Sequence, residues 1–146
     1  HCVTRRQRQM CIRDRHKLQG LKGDKGDTGT GATADLNKAL TLESPTASEK
    51  ITIFRTNVAI TVQEVIAVST VSSGTPSTTY VLRHSTDRSA TGTLVTASGA
   101  TTSTTTGDIA TLSDATIPAD SWVWFESTAA SGTDVVLCVS IRYTED

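Results

Sequence analysis

The C-terminal run Asp134-Val135-Val136-Leu137-Cys138-Val139-Ser140-Ile141-Arg142-Tyr143-Thr144 decides the fold. Val135, Leu137, Val139, Ile141 and Tyr143 fall on one side of an extended chain, and Val136, Cys138, Ser140 and Arg142 on the other. Successive side chains of a strand point to opposite faces, so this period-two pattern predicts a strand with one face on a core. Upstream, Ser121-Trp122-Val123-Trp124-Phe125-Glu126-Ser127-Thr128 predicts a second strand, entered through the turn at 115–120. Trp122 and Trp124 share one face, Val123 and Phe125 the other, so both faces are apolar.

The same period extends further back. Thr79, Val81 and Arg83 alternate with Tyr80, Leu82 and His84. Ile60, Val62, Ile66 and Val68 are expected to share a core face on a strand that also carries Glu64. A buried unpaired carboxylate is costly, so a bulge at Gln63-Glu64 is expected to turn Glu64 outward. Ile51 and Ile53 begin another strand, and Thr93 to Ala97 a short one. The segment 100–107 is nearly all Thr and Ser, which suits an exposed strand. About eight short strands separated by turn signals predict an all-β antiparallel sandwich, jelly-roll-like, over residues 50–146. Residues 32–49 are read as a neck, in which 35–40 forms a helical turn or Leu40 and Leu42 begin a strand.

Ahead of the neck, Gly20, Gly23, Gly26 and Gly29 fall at a strict step of three within 20–31. A collagen triple helix demands that step, because only glycine fits where three polyproline-like chains meet. Lys22/Asp24 and Lys25/Asp27 each straddle a glycine, at a spacing that suits ion pairs between chains. The run lacks proline and loses phase after Gly29, so it is expected to mark the junction of a stalk and a head, the alternative being a flexible Gly/Asp/Lys linker.

Residues 1–19 differ in character, being rich in arginine without a helical or strand period. Arg5 to Arg15 resembles a translated sequencing-adapter scar, which puts the start of native sequence in this chain near Leu18 with its natural upstream sequence missing; either a longer stalk preceded the triplets or the head holds the strands together. The alternatives are a disordered terminus or a basic arm. Residues 1–25 carry about +6 by the usual side-chain charges and the remainder about −7. An acidic head argues against nucleic-acid binding. No apolar run approaches the roughly 20 residues of a membrane-spanning helix.

Collagen-like triplets running into a compact β head resemble the tail-fibre and appendage proteins of bacteriophages and collagen-like bacterial surface proteins. Complement-type and tumour-necrosis-factor-like jelly rolls share the layout. The stretches that carry the resemblance are 23–29, 59–68 and Ile117-Pro118-Ala119-Asp120-Ser121-Trp122-Val123-Trp124. The few aromatics favour the phage side. The resemblance implies a homotrimer, a virion or extracellular location, and a host-surface glycan or protein as partner.

Trp122 and Trp124 are the candidates for a trimer interface, ahead of a role as sugar-stacking platforms, because interfaces are enriched in Trp. Arg83, His84, Asp87 and Arg88 form a candidate loop for an anionic sugar or phosphate, against the reading of a solvated loop. No catalytic residues, metal ligands or cofactor are assigned. Cys2, Cys11 and Cys138 form no metal-binding spacing, and Cys138 is expected to be a buried thiol. Asp108, Asp114, Asp120 and Asp134 sit in turn-like contexts.

Overall fold

The computed structural model describes residues 34–103, 105–133 and 136–146. The glycine triplets and the basic tail lie outside the described residues, as does Asp134. Ten strands are present among the described residues: β1 (Leu36–Glu43), β2 (Lys50–Arg55), β3 (Ile60–Thr70), β4 (Ser73–Ser85), β5 (Thr93–Leu94), β6 (Ala100–Thr102), β7 (Asp108–Ile109), β8 (Thr116–Ile117), β9 (Trp122–Thr133) and β10 (Val136–Glu145). They form two antiparallel sheets. The first has the order β1-β10-β3-β7, with β8 also on β3; the second has the order β2-β9-β4-β5, with β6 also on β4. The first and last strands lie side by side, and the chain passes repeatedly from one sheet to the other. That wrapped order of two Greek keys is a jelly roll.

The core lies between the sheets. Leu137, Val139, Ile141 and Tyr143 of β10 are buried, on the face that the C-terminal alternation indicated. Ile60, Val62, Val65 and Ala67 of β3 and Ile117 of β8 join them. The second sheet supplies Tyr80, Leu82, Val123 and Phe125. Tyr80 stacks on Phe125 at 5.5 Å between ring centroids, and Phe54 stacks on Tyr143 at 5.7 Å. Each fully buried side chain of this size contributes about 1.5–3 kcal/mol relative to exposure. Burial also pushes the Tyr80 phenol up to about 12, with the Asp108 carboxylate adding to the shift.

Two regions differ from the sequence expectation. The segment read as a neck contributes a full strand, since β1 pairs with β10 from Leu36↔Tyr143 to Glu43↔Val136. Leu36, Leu40 and Leu42 pack on the core, so this short apolar stripe acts as a strand face. In β3 the bulge is where Glu64 demanded it: Arg142 faces Glu64 and Tyr143 faces Val62, leaving Gln63 unpaired. One extra residue reverses the faces beyond it. Val65, Ala67 and Ser69 therefore enter the core, and Ile66 and Val68 point outward instead of sharing the face of Ile60 and Val62.

Candidate functional site: the two outer faces

The outer face of the second sheet is built around Trp124. Its ring is covered by the chain itself, with 0% exposure. The connection 86–92 folds back over it. Arg88 lies over the indole at 4.5 Å and donates from Nε to Thr52 Oγ1 at 2.8 Å. Gly92 has φ +73°, and a Cβ there would stand 2.3 Å from Trp124 Cη2. Only glycine permits that close approach of backbone to ring. Beside the ring, Glu126 receives Trp124 Nε1 at 2.9 Å, Lys50 Nζ at 3.0 Å and Arg83 Nε at 3.1 Å. Burial works to raise the Glu126 carboxyl, but hydrogen bonds from Trp124, Lys50 and Arg83 outweigh it and hold it below the usual range.

The residues proposed from sequence for an anion-binding loop do not converge. Arg83 is held by Glu126 and by the Gly92 carbonyl. His84 projects to the opposite face of β4 and is buried, with Asp114 Oδ2 at 3.9 Å from its Nε2. Burial pushes its imidazole below the ordinary histidine value, and the Asp114 carboxylate opposes that shift. Asp87 accepts from the backbone and hydroxyl of Ser89, an Asx-type turn. Arg88 stacks on Trp124. Arg83 and Arg88 thus serve the cover over Trp124, Asp87 its own turn, and His84 the opposite, inner face.

The candidate interface from sequence also separates. Trp122 is half-buried, with Arg55 over its ring at 5.7 Å. Arg55 in turn pairs with Asp120 at 2.8 Å. Trp124 is unavailable to another chain, because the 86–92 connection supplies the cover expected from a neighbouring subunit. An apolar pattern on both faces of β9 reports burial without saying whose residues provide it.

The outer face of the first sheet is different. Its strand register sets the side chains in four rows. Asn37, Arg142 and Glu64 form the first; Ala39, Ser140, Ile66 and Ile109 the second. Thr41, Cys138 and Val68 form the third; Glu43, Val136 and Thr70 the fourth. The two middle rows hold no charge. Ile109 is 67% exposed. A groove of about 300 Å³ runs along these rows, lined by Ala39, Ile66, Val68, Cys138 and Ser140 and bordered by 105–107. Cys138 is a free, half-buried thiol on this face, contrary to the buried position expected for it. It lies 3.7 Å from Thr41 Oγ1. At one end Arg142 pairs with Asp35 at 3.4 Å and Glu64 at 3.7 Å.

Among the described residues no cluster of His, Cys, Asp and Glu is arranged to hold a metal ion, and no helix is long and apolar enough to cross a membrane. Asp108 and Asp114 accept from nearby backbone and hydroxyl groups of their own turns.

Neither a family model nor a curated protein matches the sequence. Three solved chains of infectious bursal disease virus are similar in structure. A chain of the Gt strain is 11% identical with a TM-score of 0.35, over 79% of this chain and 38% of that one. A chain of the T13 viral particle is 12% identical with a TM-score of 0.37, over 77% of this chain and 35% of that one. A chain of the Gx strain is 12% identical with a TM-score of 0.32, over 77% and 36%. This chain spans little more than a third of each of them.

Proposed function

We propose that the chain is the trimeric, non-enzymatic head of a phage tail fibre or similar virion appendage, which contacts the host surface. The observation that supports this reading is the direct run from the glycine triplets at 20–29 into a jelly roll whose first strand begins at Leu36. Glycine at every third position is a requirement of three chains packed at one axis. Three heads on one stalk raise the effective concentration at a cell surface, so weak single sites hold firmly together. The acidic head agrees with a partner other than nucleic acid.

The full chain should have the mass of three copies by native mass spectrometry and light scattering at low micromolar concentration. A monomer at that concentration overturns the trimeric reading. The reading frame should also lie among tail and capsid genes, and antibodies against the head should decorate fibre tips in electron micrographs. Decoration of the bacterial envelope instead, with host surface genes alongside, would assign the chain to a cellular appendage.

A further inference from the structure

We infer that the cavity beside the crossing from β2 to β3 is a site for a neutral pyranose sugar, a hexose or N-acetylhexosamine unit. The inference rests on the host-surface reading above and names the ligand class and the place that holds it.

Two charges of this cavity stand where the fold otherwise puts apolar side chains. The core-facing row of β1 is Leu36, Lys38, Leu40 and Leu42, opposite Tyr143, Ile141, Val139 and Leu137 of β10. Glu145 continues the core-facing row of β10 and pairs with the buried Ile60. A charge facing inward from an edge strand guards that edge against pairing with another chain, which accounts for Lys38 taken alone. β10 is not an edge strand, so that account does not reach Glu145. What Lys38 and Glu145 share is one cavity of about 200 Å³, which both of them line.

The rest of the wall supplies what a sugar ring needs. Phe54 and Tyr143, one from each sheet, stack at 5.7 Å and give the cavity an apolar side. Val58 extends it and is 42% exposed. The C–H groups on a pyranose face are apolar and weakly positive, and an aromatic face is negative, so the two pack together. Beside the rings stand the Lys38 ammonium, the Asn57 amide and the Glu145 carboxylate. None of these three side chains makes a hydrogen bond or ion pair among the described residues. A sugar hydroxyl both donates and accepts; the ammonium donates, the carboxylate accepts and the amide does both. Burial pushes the Tyr143 phenol up and the Glu145 carboxylate adds to the shift, so the phenol stays protonated at neutral pH. Arg55 also borders the cavity, but its guanidinium is held by Asp120 and lies over Trp122.

Charge and size define the ligand further. Lys38 and Glu145 cancel, and the chain after residue 25 carries about −7 by the usual side-chain charges, a field that disfavours an anionic sugar. Drug-sized ligands fill ~300–1,000 Å³, so this smaller cavity takes one ring and leaves the rest of a glycan outside. One ring makes a weak site, which suits binding by several heads at once.

The test is saturation-transfer-difference NMR on the full chain, with galactose, N-acetylglucosamine, glucuronate and leucine as probes. At least one of the two neutral sugars should show transfer, and glucuronate none. Lys38→Ala and Glu145→Ala, both at exposed positions, should each weaken that sugar at least about tenfold, the weight of a hydrogen bond to a charged group. Their far-UV circular dichroism should be unchanged. In the wild type, the amide shifts caused by the sugar should cluster at Lys38, Asn57, Val58 and Glu145, which keeps the site testable if a variant fails to fold.

No transfer to either neutral sugar overturns the site, and a chain that is nonetheless trimeric keeps the reading of a head on a stalk. Sugar binding by a monomer keeps the site and overturns only the trimer. Transfer to leucine but to no sugar overturns the ligand class, since the ammonium and carboxylate then hold a zwitterion. Loss of sugar binding through Trp122→Ala, with Lys38→Ala and Glu145→Ala binding as wild type, overturns the location.

Discussion

The two sheets turn different surfaces outward. The second sheet roofs itself: Arg88 and Gly92 close over Trp124, and Glu126 gathers three donors. The first sheet is only partly covered: Ile66, Val68, Cys138 and Ser140 are half-buried, Ile109 is exposed, and the middle rows hold no charge. Both faces have apolar side chains, so hydrophobicity alone does not separate them. What separates them is the chain that follows. The connection after β4 returns across its own sheet, whereas 105–107 lines the groove over Ile66 and Val68, with Gly107 against Ile66, and leaves Ile109 exposed. An apolar face that finds cover within the chain contributes to folding. One that is only partly covered contributes less.

The largest effect that probes this contrast is Trp124→Ala. Removing a fully buried indole should cost about 3–5 kcal/mol of folding stability, because the cavity beneath Arg88 and Gly92 cannot collapse fully. Urea unfolding at several protein concentrations checks it. The midpoint should fall by the same amount at every concentration, the signature of a residue buried by its own chain. A loss that grows on dilution would place Trp124 at an interface and erase the difference between the faces.

Glu126→Gln should act on the same roof with a smaller effect. Its bonds to Lys50 and Arg83 are charge-assisted, but Lys50 is mostly exposed, so the loss should be about 1–2 kcal/mol near neutral pH. The folded carboxyl sits below its ordinary value of 4.5. A depressed carboxyl stabilises the fold above its unfolded value, and that contribution is lost as pH falls through the folded one. The difference between wild type and Glu126→Gln should therefore be level from pH 7 to about 5 and shrink below 4.5. His84 is shifted the other way in consequence: its lowered imidazole weakens the fold as pH falls below 6.5. That change is common to both proteins and cancels in the difference. A difference independent of pH down to 3 would show that the carboxylate charge does not hold the roof.

The sandwich was legible because its strands announce themselves locally. The alternation from Leu137 to Tyr143 needs only period two, and the bulge in β3 followed from the cost of burying Glu64. The consequence of that bulge was the harder step. One extra residue exchanged the faces beyond it, so Ile66 and Val68, read as core, became half-buried residues of the outer face. β1 was ambiguous because its three leucines are too few to separate a helical turn from a strand; pairing with β10 decides it. The site was less legible still. The cover over Trp124 comes from residues 32 and 36 positions earlier in the chain, and it depends on a glycine conformation that no local pattern specifies. The residues Arg83, His84, Asp87 and Arg88 were close in sequence, yet they alternate between faces of β4 or turn within the connection.

The smallest effect on folding, and the sharpest probe of the partly covered face, is Ile109→Ser. Ile109 on β7 pairs with Ile66 on β3 and stays mostly in water in the single head. Trimming an exposed side chain away from caps and buried networks changes stability by no more than about 0.5 kcal/mol. At concentrations below the dissociation midpoint, the variant should therefore melt with the wild type. Assembly through this face would stabilise the wild type above it by mass action, and the variant would lose part of that gain. A melting temperature that separates from wild type only as concentration rises is the reverse of the pattern expected for Trp124→Ala. Were Ile109→Ser to match wild type at all concentrations, the row of Ala39, Ser140, Ile66 and Ile109 would be an ordinary wet face, and the contrast between the two sheets would reduce to the roof over Trp124.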